Sequence, residues 1–232
     1  MNLAAQRRVS VIALAVTAVL LSACSPASNS AATPSASTSK PSKTPDSTPS
    51  SSPTVEPAEE DLVDLAFGNT EDSVKPEWQI GWADPFAVDE GFAVLAADDG
   101  AGSWSYTETA TACEIHFYQG QIFDLDYTQD DRAASDQMLA TLATGTPTPE
   151  DIASIAASAG DFAFGTEPGE GAVEARIIGG TFPDGRTIVQ ATRMFGTRGG
   201  GITVSLACPA GVDASNEFGR LAESHLRVVV AE

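Results

Sequence analysis

A long tract near the N-terminus lacks the side chains that a folded core requires. Residues 25–57 read SPASNSAATPSASTSKPSKTPDSTPSSSPTVEP, with one valine, no aromatic residue, and neither leucine nor isoleucine. Such a segment cannot bury enough apolar surface to offset the entropy lost when it becomes ordered. We therefore predict a disordered stalk there, followed by one folded domain over residues 58–232, which is long enough for a hydrophobic core.

The segment before the stalk has the layout of a secretory signal. Arg7 and Arg8 precede the apolar stretch VSVIALAVTAVLLSA at residues 9–23, which is too short to span a bilayer as a mature helix. The order Leu21-Ser22-Ala23-Cys24 resembles a bacterial lipobox. The resemblance implies cleavage after residue 23 and a diacylglycerol on the Cys24 sulfur. An ordinary signal peptide that is cut nearby is the alternative.

The lipobox resemblance implies a location and a first partner. With residues 1–23 removed, the acylated Cys24 and the stalk, residues 24–57, would hold the domain on the outer, extracytoplasmic face of the cell membrane. No lysine follows Lys75, and alanine and glycine are abundant, which is typical of actinobacterial proteins. The formal net charge of −20 argues against nucleic acid as a partner because its phosphates would be repelled. A cell-envelope protein or glycan is the further candidate partner.

Residue patterns in the domain predict both strands and helices. Strands are predicted at 78–82, within 91–119, and at 174–182, 186–195 and 202–209. Helices are predicted at 59–68, 130–145, 148–160 and 213–230. Because the strands follow one another through turns, we expect an α+β domain with a mainly antiparallel sheet and helices packed on it. This order of elements resembles the PsbP/Mog1-like α/β/α sandwich, a fold found in some actinobacterial lipoproteins; no residue motif accompanies the resemblance, so it implies no site residues.

Two cysteines remain besides Cys24. Cys113 and Cys208 each lie on the apolar face of a predicted strand, so an oxidising compartment favours a disulfide between them on the core side. The alternatives are two free buried thiols, or a zinc site that also uses His116 and His225. Residues three apart on a strand face opposite sides, so Cys113 and His116 would point away from each other. We therefore predict no metal and no cofactor.

An acidic loop offers a second set of candidate residues. Asp124, Asp126 and Thr128 resemble the DxDxT motif of haloacid-dehalogenase-type phosphatases, in which the first aspartate attacks a phosphoryl group beside Mg²⁺. The resemblance implies a parallel, doubly wound sheet and a downstream basic residue, usually lysine, whereas the predicted strands are antiparallel and no lysine follows Lys75. A calcium site and a solvated loop that caps the next helix are the alternatives.

Arginine and glycine gather in TRMFGTRGGG. Arg193 and Arg198 are candidate anion-binding residues, since guanidinium groups and glycine-loop amides both suit phosphate or carboxylate. The alternative is a hairpin turn whose arginines pair with surplus acids. Glu114, His116 and Tyr118 share the polar face of a predicted strand, an arrangement able to do acid–base chemistry.

No segment carries a convincing catalytic signature. We therefore expect a non-catalytic domain that binds a protein or a cell-envelope component. A lipoprotein that binds a small ligand, either a lipid or an anion, is the alternative, and a hydrolase comes third. Four aromatic residues could stack on glycans or anchor the core: Trp78, Trp82, Trp104 and Tyr106.

Overall fold

The computed structural model describes residues 64–68, 78–122, 125–126, 128–169 and 171–231. The predicted signal peptide, Cys24 and the stalk lie outside the described residues, and so does Asp124. Within the described part, the fold is α+β, as the residue patterns predict, and it is dominated by a curled, mostly antiparallel sheet of ten strands. None of the helices in this part of the chain has the length and apolar character needed to cross a membrane.

The sheet combines ten strands, numbered here in chain order. They are β1 (Asp64–Leu65), β2 (Gln79–Trp82), β3 (Phe92–Ala96), β4 (Ser103–Glu108), β5 (Glu114–Gln121), β6 (Gly160–Glu167), β7 (Ala172–Thr181), β8 (Thr187–Phe195), β9 (Gly200–Cys208) and β10 (Arg227–Ala231). Their spatial order is β2-β10-β6-β7-β8-β9-β5-β4-β3, and β1 pairs with β7. Two pairs are parallel, β1 with β7 and β10 with β6.

Three helices pack against this sheet or against each other, and local capping explains where each begins. In α1 (Asp131–Thr144), the Asp130 side chain accepts a hydrogen bond from the Ala133 N–H, and Gly145 ends the helix. In α2 (Pro149–Ser158), Thr148 and Asp151 form the reciprocal bonds of a capping box. In α3 (Ala214–Ser224), the Asp213 side chain accepts from the Ser215 N–H.

Helices α1 and α3 lie on opposite faces of β8. Side chains alternate between the faces of a strand, and Val189 and Ala191 of β8 belong to the main core together with Phe218 of α3. Met194 lies an odd number of residues away, so its side chain points to the other face, where it packs with Met138 of α1 in a smaller cluster. Burial on both faces therefore fixes the register of β8, because a shift by one residue would exchange the two sets.

Trp82 stabilises the curled shape of the sheet by contacts between strands that are far apart in the strand order. Although β2 stands at one end of the strand order, the Trp82 indole N–H donates to the carbonyl oxygens of Tyr118 in β5 and Thr203 in β9, at 3.3 and 3.1 Å. The ring also makes edge-on contacts with Phe117 and Phe164, at centroid distances of 5.7 and 5.0 Å. The sheet therefore curls so that its two ends approach each other across the aromatic core.

The structure corrects the sequence predictions at both ends of the domain. The predicted helix at 59–68 is wrong where the structure describes it, because Asp64–Leu65 forms β1 and buries Leu65 against the core. The predicted closing helix ends at Ser224, and the remaining Arg227–Ala231 segment forms β10. Strand β6 was not predicted at all. β6 pairs with the next strand, β7, and with the distant β10, and β10 also pairs with the distant β2.

Candidate binding cleft at the edge of the sheet

Strand β3 is an apolar edge strand. Its sequence is FAVLA, and four of its five residues are exposed, including Val94 at 63% and Leu95 at 48%. Among the strands that the structure describes, only β4 pairs with it. Natural proteins usually protect such an edge with lysine, proline or a covering segment. The strand itself contains neither lysine nor proline, and its pairing with β4 has a register shift between Val94 and Ala96.

The pairing pattern indicates which backbone groups of β3 face outward. In β4, the Glu108 N–H donates to the Cys113 carbonyl on the β5 side, so the neighbouring Thr107 directs its backbone groups toward β3. Thr107 is the register partner of Ala93. Because consecutive residues of a strand direct their backbone groups to opposite edges, the N–H and C=O of Val94 point away from β4, toward the outer edge of the sheet. An added strand would therefore find its hydrogen-bonding partners at Val94.

A cleft of about 330 Å³ opens beside this edge. Trp82 and the following Asp84 line one side of it, and Val94 and the segment Ala96–Asp98 line the other. Trp104 and Tyr106 of β4 and Gln119 of β5 complete the walls. The cleft therefore lies where the curl of the sheet brings the β2 end close to β3 and β4, and its volume is within the range of small-molecule and side-chain pockets.

Polar contacts from Tyr106 and Gln119 join the walls of the cleft. The Tyr106 hydroxyl donates to the Asp84 carboxylate at 2.7 Å. Burial, followed by this carboxylate, raises the pKa of Tyr106 well above its ordinary value, so the hydroxyl keeps its proton as a donor. Likewise, Gln119 Oε1 accepts from the Trp82 backbone N–H at 2.7 Å. The cleft is thus preformed by hydrogen bonds.

Trp104 has an unused hydrogen-bond donor. Its side chain is 8% exposed and stacks on Phe117 at a centroid distance of 5.3 Å. Among the described residues, nothing accepts a hydrogen bond from its buried Nε1–H. A buried donor without a partner costs about 1–3 kcal/mol. Trp104 is also one of the residues that line the cleft.

The segments that precede and follow β3 in sequence are acidic, and Arg220, which lies near the start of the strand, is paired with Glu108, the register partner of Phe92. Asp89 and Glu90 precede the strand, Asp98 and Asp99 follow it, and the sequence has neither arginine nor lysine between Lys75 and Arg132. Backbone N–H donors to Asp89 and Asp99 lower the pKa of both carboxyls, with the His225 ring also acting on Asp89. These groups therefore carry negative charge at neutral pH.

Arg193, one of the two predicted anion-binding residues, is deeply buried. It is 2% exposed and donates to the carbonyl oxygens of Leu65 and Glu174 and to the Asp131 carboxylate, at 2.9, 3.0 and 3.0 Å. Its guanidinium lies 4.3 Å from the ring centroid of Phe67. Burial lowers the pKa of Arg193, and Asp131 opposes that effect. These contacts join β1, β7, β8 and α1, which is a structural role.

Arg198 is half-buried, and its Nη1 atom has no hydrogen-bond partner within the described part of the chain. Anion binding at Arg193 and Arg198 stays a prediction. At Arg193, Nη1 and Nη2 are already bonded, and the buried Nε–H has no partner among the described residues.

A second arginine cluster anchors α1 and α2 to the sheet. Arg176 is buried, and its guanidinium donates to Asp136 and Asp161, both at 2.6 Å. Arg132 binds the same Asp161 through two hydrogen bonds of 2.7 and 2.9 Å. Arg132 first, and then Arg176, lowers the pKa of the Asp161 carboxyl against the opposing effect of burial. The cluster therefore helps to fold the domain, and Arg176 is not available to an external anion.

The predicted disulfide between Cys113 and Cys208 is present. The two residues lie at the neighbouring ends of β5 and β9, with their Cα atoms 4.2 Å apart and both side chains buried. His116, which the zinc interpretation would add, lies on the opposite face and is half exposed. Within the described residues, no group of three or more His, Cys, Asp or Glu side chains could hold a metal ion.

The remaining candidate residues do not form a shared site. His116 Nε2 is 3.6 Å from the Glu114 carboxylate on an open face of the sheet. Asp126 accepts two hydrogen bonds from Thr128, which is an arrangement typical of a capped loop. His225 ends α3, contacts the rings of Phe86 and Phe92, and hydrogen-bonds to Asp89.

The comparisons with known proteins give no family assignment: neither a scan against protein-family models nor a search of curated proteins finds a match to this chain. The function must therefore be argued from the geometry of the domain. The sequence interpretation identified Trp82, Trp104 and Tyr106 as core anchors or stacking platforms, but it missed that they meet an exposed edge strand. The apolar run FAVLAA between acidic pairs was the signal that could have indicated it.

Proposed function

We propose that this protein is a lipid-anchored, extracytoplasmic, non-catalytic domain that binds a partner protein through strand addition to β3. The observation that carries the proposal is the exposed apolar edge, whose backbone groups at Val94 point away from β4 and lie next to the cleft that Trp104 lines. An added strand supplies main-chain hydrogen bonds, and a neighbouring pocket selects a side chain. The lipobox at Leu21–Cys24 and the stalk supply the anchor and the reach.

A non-catalytic role is supported by the environment of the candidate acid–base residues. Glu114 and His116 are each about half exposed on the open face, and neither lines the cleft. Acid–base catalysis is favoured by groups that a pocket positions and shields from water. The cleft itself is lined by aromatic and small apolar residues with a few polar groups, a composition suited to recognition.

Strand addition can be tested with a proline substitution in the full chain. Because the Val94 N–H points to the outer edge of the sheet, Val94→Pro should remove a donor for an added strand and leave the pairing with β4 in place. Val94→Thr is the matched control, since it keeps both the N–H and a β-branched side chain. A photo-crosslinking residue at Leu95 then reports binding in the producing cells, and the same residue at Ala157 of α2 is the control position.

We expect one protein to crosslink from position 95, to be retained with Val94→Thr and to be lost with Val94→Pro. Equal crosslinking in both variants would contradict strand addition. The anchor has its own test, because Cys24→Ala should move the protein from the membrane fraction to the medium. A variant that still partitions wholly with membranes would refute the acylation.

A second candidate function is the binding of an amphiphile between the sheet and α3. A cavity of about 510 Å³ lies there, lined by Phe162 and Thr166 of β6 and by Gly219 and Ala222 of α3. Thr166 is 5% exposed, and its hydroxyl has no partner within the described residues. Gly219→Leu should fill this cavity, so a rise in melting temperature with lipid that disappears in this variant would favour the second function.

A further inference from the structure

We infer that the partner segment is an extended stretch with an apolar centre and a basic residue at each end, and that one basic side chain enters the cleft. The inference rests on the proposed function, since it specifies what would add to β3. It follows from three observations: the length of the edge, the acids at its two ends, and the chemistry of the cleft walls.

The length of the edge sets the size of the segment. β3 has five residues, so at about 3.3 Å per residue it offers an edge of roughly 16 Å. The exposed side chains of Val94 and Leu95 lie along it. An added strand of similar length would cover them with its own apolar residues. The apolar centre of the segment is therefore about five residues long.

The acids lie beyond both ends of the edge. Asp89 and Glu90 stand at its N-terminal side and Asp98 and Asp99 at its C-terminal side. Within the described part of the chain, none of these four carboxylates pairs with lysine or arginine; Asp89 meets His225, and Asp98 and Asp99 accept backbone N–H donors. Charge complementarity across an interface favours a partner of opposite sign. A basic residue at either end of the segment would meet one of these pairs.

The cleft suits a long basic side chain. Trp104, Tyr106 and Val94 offer apolar and aromatic surface for a methylene stem, and Asp84 and Asp98 offer carboxylates for a cationic end. Cations also interact favourably with aromatic faces. A lysine or arginine on the added strand would use both the aromatic surface and the carboxylates.

The test uses the full chain in detergent and a set of acetylated, amidated heptapeptides. Each has a five-residue core that alternates valine and threonine, with lysine, glutamine or glutamate at both ends. A fourth peptide keeps lysine but carries an N-methyl group on every core amide, so that neither edge can donate hydrogen bonds to β3. Fluorescence anisotropy of labelled peptides gives the dissociation constants at low and high salt.

We expect the lysine peptide to bind about tenfold more tightly than the glutamine peptide at low ionic strength, and this preference to shrink when salt screens the charges. The glutamate and N-methylated peptides should not bind measurably. Asp98→Asn should weaken the lysine peptide about two- to threefold, whereas Asp184→Asn should not. Asp184 is the matched control because it accepts a backbone N–H two residues ahead, as Asp98 does, but lies in the β7–β8 turn.

Other outcomes separate the two proposals. Equal binding of the lysine and glutamine peptides, with loss on N-methylation, would overturn the basic-segment inference and leave strand addition intact. Equal binding of the lysine peptide and its N-methylated form, or no peptide binding at millimolar concentration, would overturn both. Binding of soluble cell-wall glycan fragments, abolished by Trp104→Leu in the absence of peptide binding, would assign the cleft to a glycan instead.

Discussion

Breaking the Cys113–Cys208 disulfide should lower the free energy of unfolding by about 4–5 kcal/mol. The chain-entropy relation gives about 4.7 kcal/mol at 25 °C for a separation of 95 residues, because the bond restricts the unfolded chain. The folded state should change little on reduction. The cysteines lie at the ends of β5 and β9, strands that pair with each other over eight residue positions, and both thiols would stay buried in the same core. The cost should therefore arise mainly in the unfolded state.

Urea unfolding followed by tryptophan fluorescence, with and without reductant, measures this difference. For an m value of about 2 kcal/mol per molar urea, the midpoint should fall by roughly 2 M on reduction. The double variant Cys113→Ala, Cys208→Ala is the control and should not respond to reductant. Midpoints that agree within about 0.5 M would refute the argument. Independently, the intact mass of protein isolated from cells should rise by two hydrogens on reduction.

Three further predictions concern packing and pH. Gly201→Ala should destabilise the domain because a new Cβ would overlap the Met194 side chain. In Gly219→Ala the new Cβ meets no atom within 4 Å, so this substitution should stabilise α3 by about 0.5–1 kcal/mol. The melting temperatures of the two variants should therefore shift in opposite directions. Phe86→Ala should cost about 3–5 kcal/mol in urea unfolding, since this ring is 1% exposed; a cost below 1 kcal/mol would contradict its role. The lowered pKa of Asp161 stabilises the folded state above the unfolded-state pKa near 4, and this stabilisation is lost as the pH falls. The free energy of unfolding of the wild type should therefore exceed that of Asp161→Asn by more at pH 6 than at pH 3.

The elements that the sequence predicted well are those with local signals. The capping box at Thr148 and Asp151 and the glycine at position 145 mark helix ends through contacts within a few residues. The turn Pro183-Asp184-Gly185 joins β7 and β8 as predicted, with Gly185 at a positive φ of 86°. The faces of β5 and β9 placed the two cysteines on the same side. Each of these inferences needed only periodicity or turn chemistry.

The missed elements depend on distant partners. Leu65 could be read as part of an acidic helix, but it becomes a strand because β7 and the buried Arg193 bind its backbone. β10 follows α3 after two residues, and its pairing with β2 and β6 cannot be inferred from its own sequence. The exposure of β3 was missed for the same reason. An apolar run predicts a strand, but only the order of the other nine shows that it lies at an edge.

The arginines of the domain leave the four carboxylates that flank β3 in sequence without an arginine partner within the described residues. Six of the seven arginines after Lys75 donate to acceptors inside the domain, and the exception, Arg198, has an unpartnered Nη1 atom within the described residues. The six are Arg132, Arg176, Arg186, Arg193, Arg220 and Arg227. Their acceptors include none of Asp89, Glu90, Asp98 and Asp99, whereas Arg220 does bind Glu108, the register partner of Phe92. Solubility alone would be served by acids placed anywhere on the surface, whereas here they bracket an apolar edge that pairs on one side only among the described strands. An uncovered apolar edge favours self-association. The negative charge around β3 would repel a second copy of this chain and would attract a basic segment. Both effects should weaken together as salt is added.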